Sequence, residues 1–341
     1  MRTVAQAATT PAIIPARRAL LGQTQDGSMT FALVFPGQGS QSVGMLAGLA
    51  AAEPVVKETF AEASQVLGYD LWHLCQTGPQ DQLNATERTQ PAMLAAGVAV
   101  WRVWRAHGGS VPQQMAGHSL GEFSALVCAG AIDFQVAIDV VRFRGQAMQA
   151  AVPLGQGAMA AILGLDDTDV EAACAQACNG EVVEAVNYNA PGQVVIAGNT
   201  AAVARAIEIA KAKGAKRAIP LPVSVPSHSA LMLPAAERLR QRLASVAITP
   251  PVNIEVFNVD LARHLTAAGI RDALVRQLHS PVHWSRIIQR MVAAGARTII
   301  ECGPAGVLTA LNRRIERNKE IRMLAIEDAT SRNEALAAMA G

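Results

Sequence analysis

Short apolar blocks alternate with amphipathic stretches along the chain, and this pattern predicts buried strands separated by helices. "TFALVF" (30–35) is followed at once by proline and glycine, as expected for a buried strand that ends in a loop. A second short strand is predicted within 111–117, and "EFSALVCAGAI" (122–132) predicts a buried helix just after it. The alternation returns later, with apolar strands predicted at 298–301 and 323–328. Strands that alternate with helices favour an α/β fold on a mostly parallel sheet with helices on both faces.

A different rhythm in the middle of the chain predicts a separate small subdomain. Four strand-like and two helical stretches follow one another there in the order β-α-β-β-α-β, which is typical of the ferredoxin-like motif. The two middle strands are joined by "NAPG" (189–192), where proline and glycine suit a type II turn and the glycine takes a positive φ. We therefore expect a ferredoxin-like small subdomain at 154–224, inserted into a large α/β subdomain formed by 29–153 and 225–341.

The N-terminal segment, residues 1–28, has a different composition from the rest of the chain. It contains three arginines, one acid and two prolines, and it shows no clean periodicity. Because the prolines interrupt the apolar core that a secretory signal needs, and Arg17 and Arg18 follow it, we interpret the segment as a disordered extension, with a transit peptide as the alternative. No apolar run approaches the ~20 residues that span a bilayer, so no membrane is expected as a partner.

Composition and charge exclude further classes of partner. The chain of 341 residues is 51% hydrophobic and 16% charged, which is typical of a globular protein with a substantial core, and its formal net charge is +2. No basic stretch is interleaved with aromatic residues, so nucleic acid is not an expected partner. The five cysteines are odd in number and their spacings fit no metal motif or disulfide framework. We therefore expect no metal site and a location in the reducing cytoplasm.

The stretch "GHSLG" (117–121) is the strongest candidate for chemistry. Ser119 and Glu122 fit the S-x-x-E capping box, in which the serine would cap the next helix. A cap does not explain Gly117 and Gly121, whereas a nucleophile elbow needs small residues on both sides of its serine because strand and helix approach closely there. In a strand–turn–helix context we favour the elbow, with Ser119 as the nucleophile.

A serine hydroxyl needs a base to take its proton, and His228 is the best placed of the seven histidines. It lies downstream of Ser119 at the end of a predicted strand, and serine before histidine is the chain order of α/β-hydrolase-type enzymes. His118 adjoins Ser119, so its side chain is expected to point away. No carboxylate stands out as the group that orients His228. The loop "GQG" (37–39) has the wrong spacing for a phosphate loop, which leaves an oxyanion-binding backbone N–H or a plain turn.

Seven motifs are spread over nearly the whole chain in a fixed order: "FPGQGSQSVGM", "GHSLGE", "RFRGQAMQ", "NYNAPGQVVIAG", "VSVPSHSALM", "RQLHSPVHW" and "ECGPAGVLTAL". Together they resemble the malonyl-CoA:acyl carrier protein transacylases, from about Thr30 to the last strand. The resemblance implies an α/β-hydrolase-like large subdomain with an inserted ferredoxin-like small subdomain. It also implies transfer of malonyl from malonyl-CoA to acyl carrier protein through a malonyl-serine, supplying fatty acid synthesis, with no metal or other cofactor.

The resemblance also assigns roles to individual residues. Ser119 is the acylated nucleophile and His228 its base. The backbone N–H groups of Gln38 and Leu120 form the oxyanion hole. Gln277 matches a glutamine that the family places beside the histidine, with a nearby backbone carbonyl in place of the triad acid.

Arg144 resembles the arginine that pairs with the free carboxylate of malonate. Its planar guanidinium binds a carboxylate through two parallel N–H···O bonds, a geometry that lysine does not offer. An acetyl group has no carboxylate and leaves the charged side chain unpaired, which disfavours acetyl-CoA by several kcal/mol, roughly. From spacing alone, however, Arg144 is an ordinary helix residue paired with a surface acid.

Three other readings of the sequence stay open. A serine thioesterase or carboxylesterase would use the same parts and end with water. An acyltransferase for a related extender unit such as methylmalonate would serve polyketide synthesis. A binding or scaffold protein that kept the fold would not need Ser119 at all.

Overall fold

A computed structural model describes residues 30–223, 225–257 and 259–340, so the segment 1–28 discussed above lies outside the described residues. Within these ranges the chain forms nine strands, β1 to β9: Phe31–Phe35, Gln114–Gly117, Gly157–Leu163, Val183–Ala190, Gln193–Asn199, Arg217–Pro220, Glu255–Phe257, Thr298–Cys302 and Arg322–Ile326. The same ranges contain fourteen α-helices, α1 to α14: Ala47–Ala52, Pro54–Leu67, Leu71–Thr77, Gln80–Asn84, Thr86–Ala106, Gly121–Cys128, Phe134–Ala151, Asp167–Ala177, Thr200–Ala212, Leu233–Leu243, Ala267–Gln277, Trp284–Ala293, Val307–Ile315 and Ala329–Ala340.

The larger sheet is parallel and runs in the order β7-β2-β1-β8-β9. Its central strands β1 and β8 are buried along their whole length, as the continuous apolar sequence predicts. Alternate residues of β1 enter two different cores: Phe31, Leu33 and Phe35 pack in one, and Ala32 and Val34 in the other. Helices therefore cover both faces of the sheet, and the predicted α/β class is confirmed.

The smaller sheet is antiparallel and has the order β4-β5-β3-β6. Together with α8 and α9 it follows the predicted β-α-β-β-α-β order, and apolar residues of both helices and the sheet form a core of their own. Pro191 and Gly192 form the turn between β4 and β5, and Gly192 has the expected positive φ of 68°. The outer limits of this subdomain, at 154 and 224, stay a prediction.

Several elements differ from the sequence pattern in length or number. The helix predicted over 122–132 ends at Cys128, and the chain turns at Gly130 with a φ of 75°. β6 stops at Pro220, since Pro220 and Pro222 have no N–H with which to continue a ladder. The pattern did not predict the edge strand β7 or the last helix, α14.

Main-chain hydrogen bonds join the small sheet to the large subdomain. The N–H of Tyr188 in β4 donates to the carbonyl of Val282, and the N–H of Val282 donates back to the carbonyl of Val186. This pairing holds β4 beside α12, and the hydrogen bond between Asn189 Oδ1 and His118 Nε2 brings the end of β4 to the carboxyl end of β2. Among the residues that the structure describes, none of the helices has the length and apolar character needed to cross a membrane.

Candidate active site

Ser119 lies on a tight turn between β2 and α6, with a positive φ of 51° that is uncommon for a residue with a side chain. A Cβ on Gly117 would lie 1.7 Å from the carbonyl carbon of Gly121, and one on Gly121 would lie 2.0 Å from the carbonyl oxygen of Phe35. Both glycines are therefore required by close packing of backbone on backbone. Leu120 occupies the N-cap position of α6 and no side chain in the described ranges caps the helix, so the capping-box interpretation of Ser119 is wrong.

The imidazole of His228 lies between Ser119 and a main-chain carbonyl. Its Nδ1 is 2.7 Å from the carbonyl oxygen of Gln277, and its Nε2 is 2.8 Å from Ser119 Oγ. Because a carbonyl oxygen only accepts, Nδ1 carries the proton and Nε2 is left with a lone pair for the serine O–H. Burial and, to a smaller extent, the nearby positive charge of Arg144 together lower the pKa of His228 to about 3. The imidazole is therefore neutral at physiological pH and able to accept a proton.

Arg144 projects from α7 toward Ser119 and Gln277, and it is 1% exposed. Its Nη2 donates to Gln277 Oε1 at 2.9 Å and approaches Ser119 Oγ at 3.4 Å. Its Nε has no hydrogen-bond partner, and no carboxylate in the described part of the chain forms an ion pair with it. Burial lowers the pKa of Arg144 to about 10, so the guanidinium stays charged at neutral pH. A buried, incompletely paired cation is a receptor for an anion.

Gln277, at the end of α11, connects these groups through its side chain as well as its main chain. Its Nε2 donates to the carbonyl oxygen of Ser119 at 3.0 Å and to Glu122 Oε2 at 2.5 Å, while its Oε1 accepts from Arg144. Glu122 is 2% exposed, and burial raises the pKa of its carboxyl to about 8. Sequence reasoning considered Glu122 only as part of a cap; the signal it missed is an acid fixed in the first turn after the elbow.

The loop after β1 packs directly against the elbow. A Cβ on Gly37 would lie 2.3 Å from the carbonyl oxygen of His118, so only glycine allows this approach. The backbone N–H groups of Gln38 and Leu120 donate to no acceptor among the described residues, and both residues line the cavity in front of Ser119. Two free N–H groups beside a serine Oγ are the donors that an oxyanion hole needs.

A cavity of about 470 Å³ lies between the two subdomains and contains the predicted site residues. Ser119, His228 and Arg144 border it from the large subdomain, and Met159 and Asn187 from the small one. The pocket therefore brings together the three side chains that the sequence analysis named from distant positions. Gln277 lies behind this wall, in contact with all three of them.

His118 also borders the cavity, but it does not contact Ser119 through its ring. Its Nε2 lies 2.8 Å from Oδ1 of Asn189 in β4. The expectation that the His118 ring turns away from the serine hydroxyl therefore agrees with its hydrogen bond, although the ring remains part of the pocket wall.

Groups suited to a metal ion are absent from the described residues, where no three His, Cys, Asp or Glu side chains cluster. The five cysteines are all free, and four of them are buried. The arrangement places a serine hydroxyl beside a neutral imidazole, with two free backbone N–H groups and a buried cation at the same cavity.

Comparison with known proteins places the chain among acyl transferases. A model of the acyl transferase domain family matches residues 32–337. The malonyl CoA-acyl carrier protein transacylase of Escherichia coli (strain K12) is 58% identical over 285 residues, which cover 84% of this chain and 92% of that protein.

Solved structures agree with this result. The malonyl CoA-acyl carrier protein transacylase from Coxiella burnetii has a TM-score of 0.90 and 48% identity, and the match covers 92% of this chain and 99% of that one. A malonyl-transacylase solved in complex with its type II PKS acyl-carrier protein has a TM-score of 0.88 and 54% identity, and the match covers 91% of this chain and 99% of that one.

Proposed function

Because the chain belongs to the malonyl CoA-acyl carrier protein transacylase family, we propose that it transfers malonyl from malonyl-CoA to the phosphopantetheine thiol of an acyl carrier protein. The observation that carries the proposal is one cavity in which Ser119 Oγ lies 2.8 Å from His228 Nε2 and 3.4 Å from Arg144 Nη2. A nucleophile with its base and a buried cation suit a substrate that has a thioester at one end and a carboxylate at the other.

In the first half-reaction, His228 Nε2 takes the Ser119 proton while Oγ attacks the thioester carbonyl of malonyl-CoA. The negative charge moves onto the carbonyl oxygen, where the N–H groups of Gln38 and Leu120 stabilise it. When the tetrahedral intermediate collapses, the carbon–sulfur bond breaks and the coenzyme A thiolate takes the proton from His228. The products are malonyl-Ser119 and free coenzyme A.

Arg144 selects the acyl group in this proposal. The malonyl carboxylate accepts from the guanidinium, which otherwise keeps its Nε without a partner in a closed site. Acetyl-CoA leaves that cation unpaired. Binding through the far end of the substrate also fixes the thioester carbonyl relative to Ser119 Oγ.

In the second half-reaction, the thiol of the carrier protein attacks the malonyl-serine ester. His228 takes the thiol proton, the thiol sulfur bonds to the acyl carbon, and the bond from that carbon to Ser119 Oγ breaks as His228 returns the proton to Oγ. The product is malonyl on the carrier protein, the free enzyme is restored, and the sequence is ping-pong. The two subdomains enclose the ester on the sides away from the cavity mouth, and Arg144 holds the malonyl group, which together restrict attack by water.

We place this activity in fatty acid synthesis in the cytoplasm. The five free cysteines support a reducing compartment. A relative 54% identical to this chain is a malonyl-transacylase in complex with a type II PKS acyl-carrier protein, and this supports a polyketide carrier protein as a second candidate partner.

Intact-mass measurement after brief mixing tests the proposal. Malonyl-CoA should add one malonyl group, acetyl-CoA should add little, and the Ser119→Ala variant should show no adduct. An Arg144→Ala variant should lose the preference for malonyl. Without carrier protein, malonate should be released slowly from the adduct. Hydrolysis as fast as transfer would indicate a thioesterase. A malonyl adduct on the Ser119→Ala variant would show that another residue is the nucleophile.

A further inference from the structure

Glu122 is a buried acid that contacts the site residue Gln277 and has no role in the reaction proposed above. It lies in the first turn of α6, three residues after Ser119, and is 2% exposed. No cation among the described residues forms an ion pair with it, and its Oε1 has no hydrogen-bond partner. Among the described residues, the carboxyl makes one hydrogen bond, which its Oε2 accepts from Gln277 Nε2. Burial of a carboxyl with a single hydrogen-bond partner lowers the stability of the fold. We therefore look for its role in the function of that partner.

The partner, Gln277, has a side-chain amide in which the oxygen accepts hydrogen bonds and the nitrogen donates them. Its oxygen must face Arg144, which only donates, and its nitrogen must face acceptors. The Ser119 carbonyl accepts one of the two amide N–H bonds, and Glu122 accepts the other. Without Glu122 the second N–H is buried and unsatisfied, and the amide is free to rotate or withdraw from Arg144.

We propose, on the basis of the proposed function, that Glu122 is a positioning residue for malonyl selectivity, which fixes the Gln277 amide so that its oxygen holds the Arg144 guanidinium. Gln277 also lies between the carboxyl of Glu122 and the guanidinium of Arg144. Since the carboxyl of Glu122 reaches Arg144 only through the amide, it supports the cation without occupying the guanidinium face that the malonyl carboxylate needs.

This role acts on substrate choice and not on the nucleophile. The group that orients His228 is the main-chain carbonyl of Gln277, which does not depend on the side-chain amide. Loss of Glu122 should therefore weaken the binding of a carboxylate by Arg144 while Ser119 keeps its base.

Three variants of Glu122 test the proposal, with acylation of Ser119 by malonyl-CoA and by acetyl-CoA measured separately as kcat/KM. Glu122→Ala should lower the malonyl value about tenfold to hundredfold, the range expected for an unsatisfied buried donor, and leave the acetyl value within about threefold. Glu122→Gln should keep the malonyl preference, because its amide oxygen accepts the same bond. Should Glu122→Ala fail to fold, Glu122→Asp, whose shorter side chain does not reach Gln277, should show the same loss.

A double-mutant cycle separates this role from a structural one. In a Gln277→Ala background, Glu122→Ala should change the malonyl-to-acetyl ratio no further, since the residue acts only through the amide. Glu301→Gln is the matched control: Glu301 is another buried acid, which accepts from the N–H groups of Leu308 and Thr309. It should lower the melting temperature and leave the ratio unchanged.

Two results would overturn the proposal: equal losses of malonyl and acetyl transfer in Glu122→Ala, or an undiminished effect of Glu122→Ala in the Gln277→Ala background. Failure of the proposed function looks different, since the wild-type protein would then show no preference for malonyl-CoA over acetyl-CoA.

Discussion

In the proposed reaction, the hydrogen bond between His228 Nδ1 and the carbonyl of Gln277 explains how Ser119 is activated next to a buried arginine. A carboxylate in that position would orient the imidazole equally well, but its charge would lie close to Arg144 and pair with it. A neutral carbonyl fixes the same tautomer and leaves the cation free for a substrate. The consequence is an imidazole that is hard to protonate, because burial and Arg144 both favour its neutral form.

The pH dependence of acylation should reflect this. Since burial lowers the pKa of His228 from its ordinary value near 6.5 to about 3, the imidazole remains neutral throughout mildly acidic conditions. We expect kcat/KM for malonyl-CoA, which reports the free enzyme, to stay flat from about pH 8 down to about pH 5. Quenched-flow mixing with intact-mass detection measures it, with circular dichroism as the control for folding. A half-maximal rate near the ordinary histidine pKa would contradict the expectation.

Residue types in the sequence indicated only part of this site. Ser119 and His228 could be found without any resemblance, because flanking glycines and chain order are features of the sequence. A main-chain carbonyl gives no such signal, since any residue at 277 supplies one. Gln277 was therefore assigned only through the resemblance to a family. Arg144 was assigned in the same way, because its position in a helix is also that of an ordinary surface arginine. Glu122 was recognised only from its contact with Gln277.

At the scale of elements, the site depends on how closely β1, the elbow and α6 approach one another. Gly117 and Gly121 both lie where a Cβ would overlap backbone atoms, so the strand and the helix touch without side chains between them. This close approach brings the free N–H of Leu120, at the start of α6, next to the loop that holds Gln38.

A pair of glycine variants, one at the first residue of α6 and one two residues after its last, measures that constraint. Gly121→Ala would place a Cβ 2.0 Å from the carbonyl oxygen of Phe35, so we expect it to destabilise the fold by about 3 kcal/mol or more and to remove acylation. In Gly130→Ala the new Cβ would have no atom within 4 Å, and the positive φ alone would lower the free energy of unfolding by about 1 kcal/mol. Acylation should stay intact. Urea unfolding compares the two, and equal losses of stability would show that packing at Gly121 is relaxed.

The two elements that were not predicted, β7 and α14, have the weakest hydrophobic periodicity in their sequences. β7 has three residues at the edge of the sheet, which is too short for a periodicity. α14 is rich in alanine and has no clear apolar stripe, so no periodicity marks it in the sequence; in the structure it packs against β9 and α1. The long buried runs of β1 and β8 were predicted because both faces of a central parallel strand are covered.

At the scale of the whole molecule, the active cavity belongs to neither subdomain alone. The large subdomain supplies the groups proposed for chemistry, and the small one supplies Met159 and Asn187 on the opposite wall. The bond between His118 and Asn189 and the pairing of β4 with Val282 hold the two walls together. A ligand that fills the cavity therefore contacts both subdomains, and binding should stabilise the entire fold.

Thermal unfolding of the Ser119→Ala variant, which we expect to bind malonyl-CoA without being acylated, tests this coupling. Malonyl-CoA at about 100 times its Kd adds about 2.7 kcal/mol to the folded state, which corresponds to a rise in Tm of about 5 °C. Acetyl-CoA at the same concentration should give a smaller rise, because it leaves Arg144 unpaired. The matched control is Ser119→Ala combined with Arg144→Ala, in which both thioesters should give the same shift. A malonyl-specific shift that survives loss of Arg144 would mean that another group recognises the carboxylate.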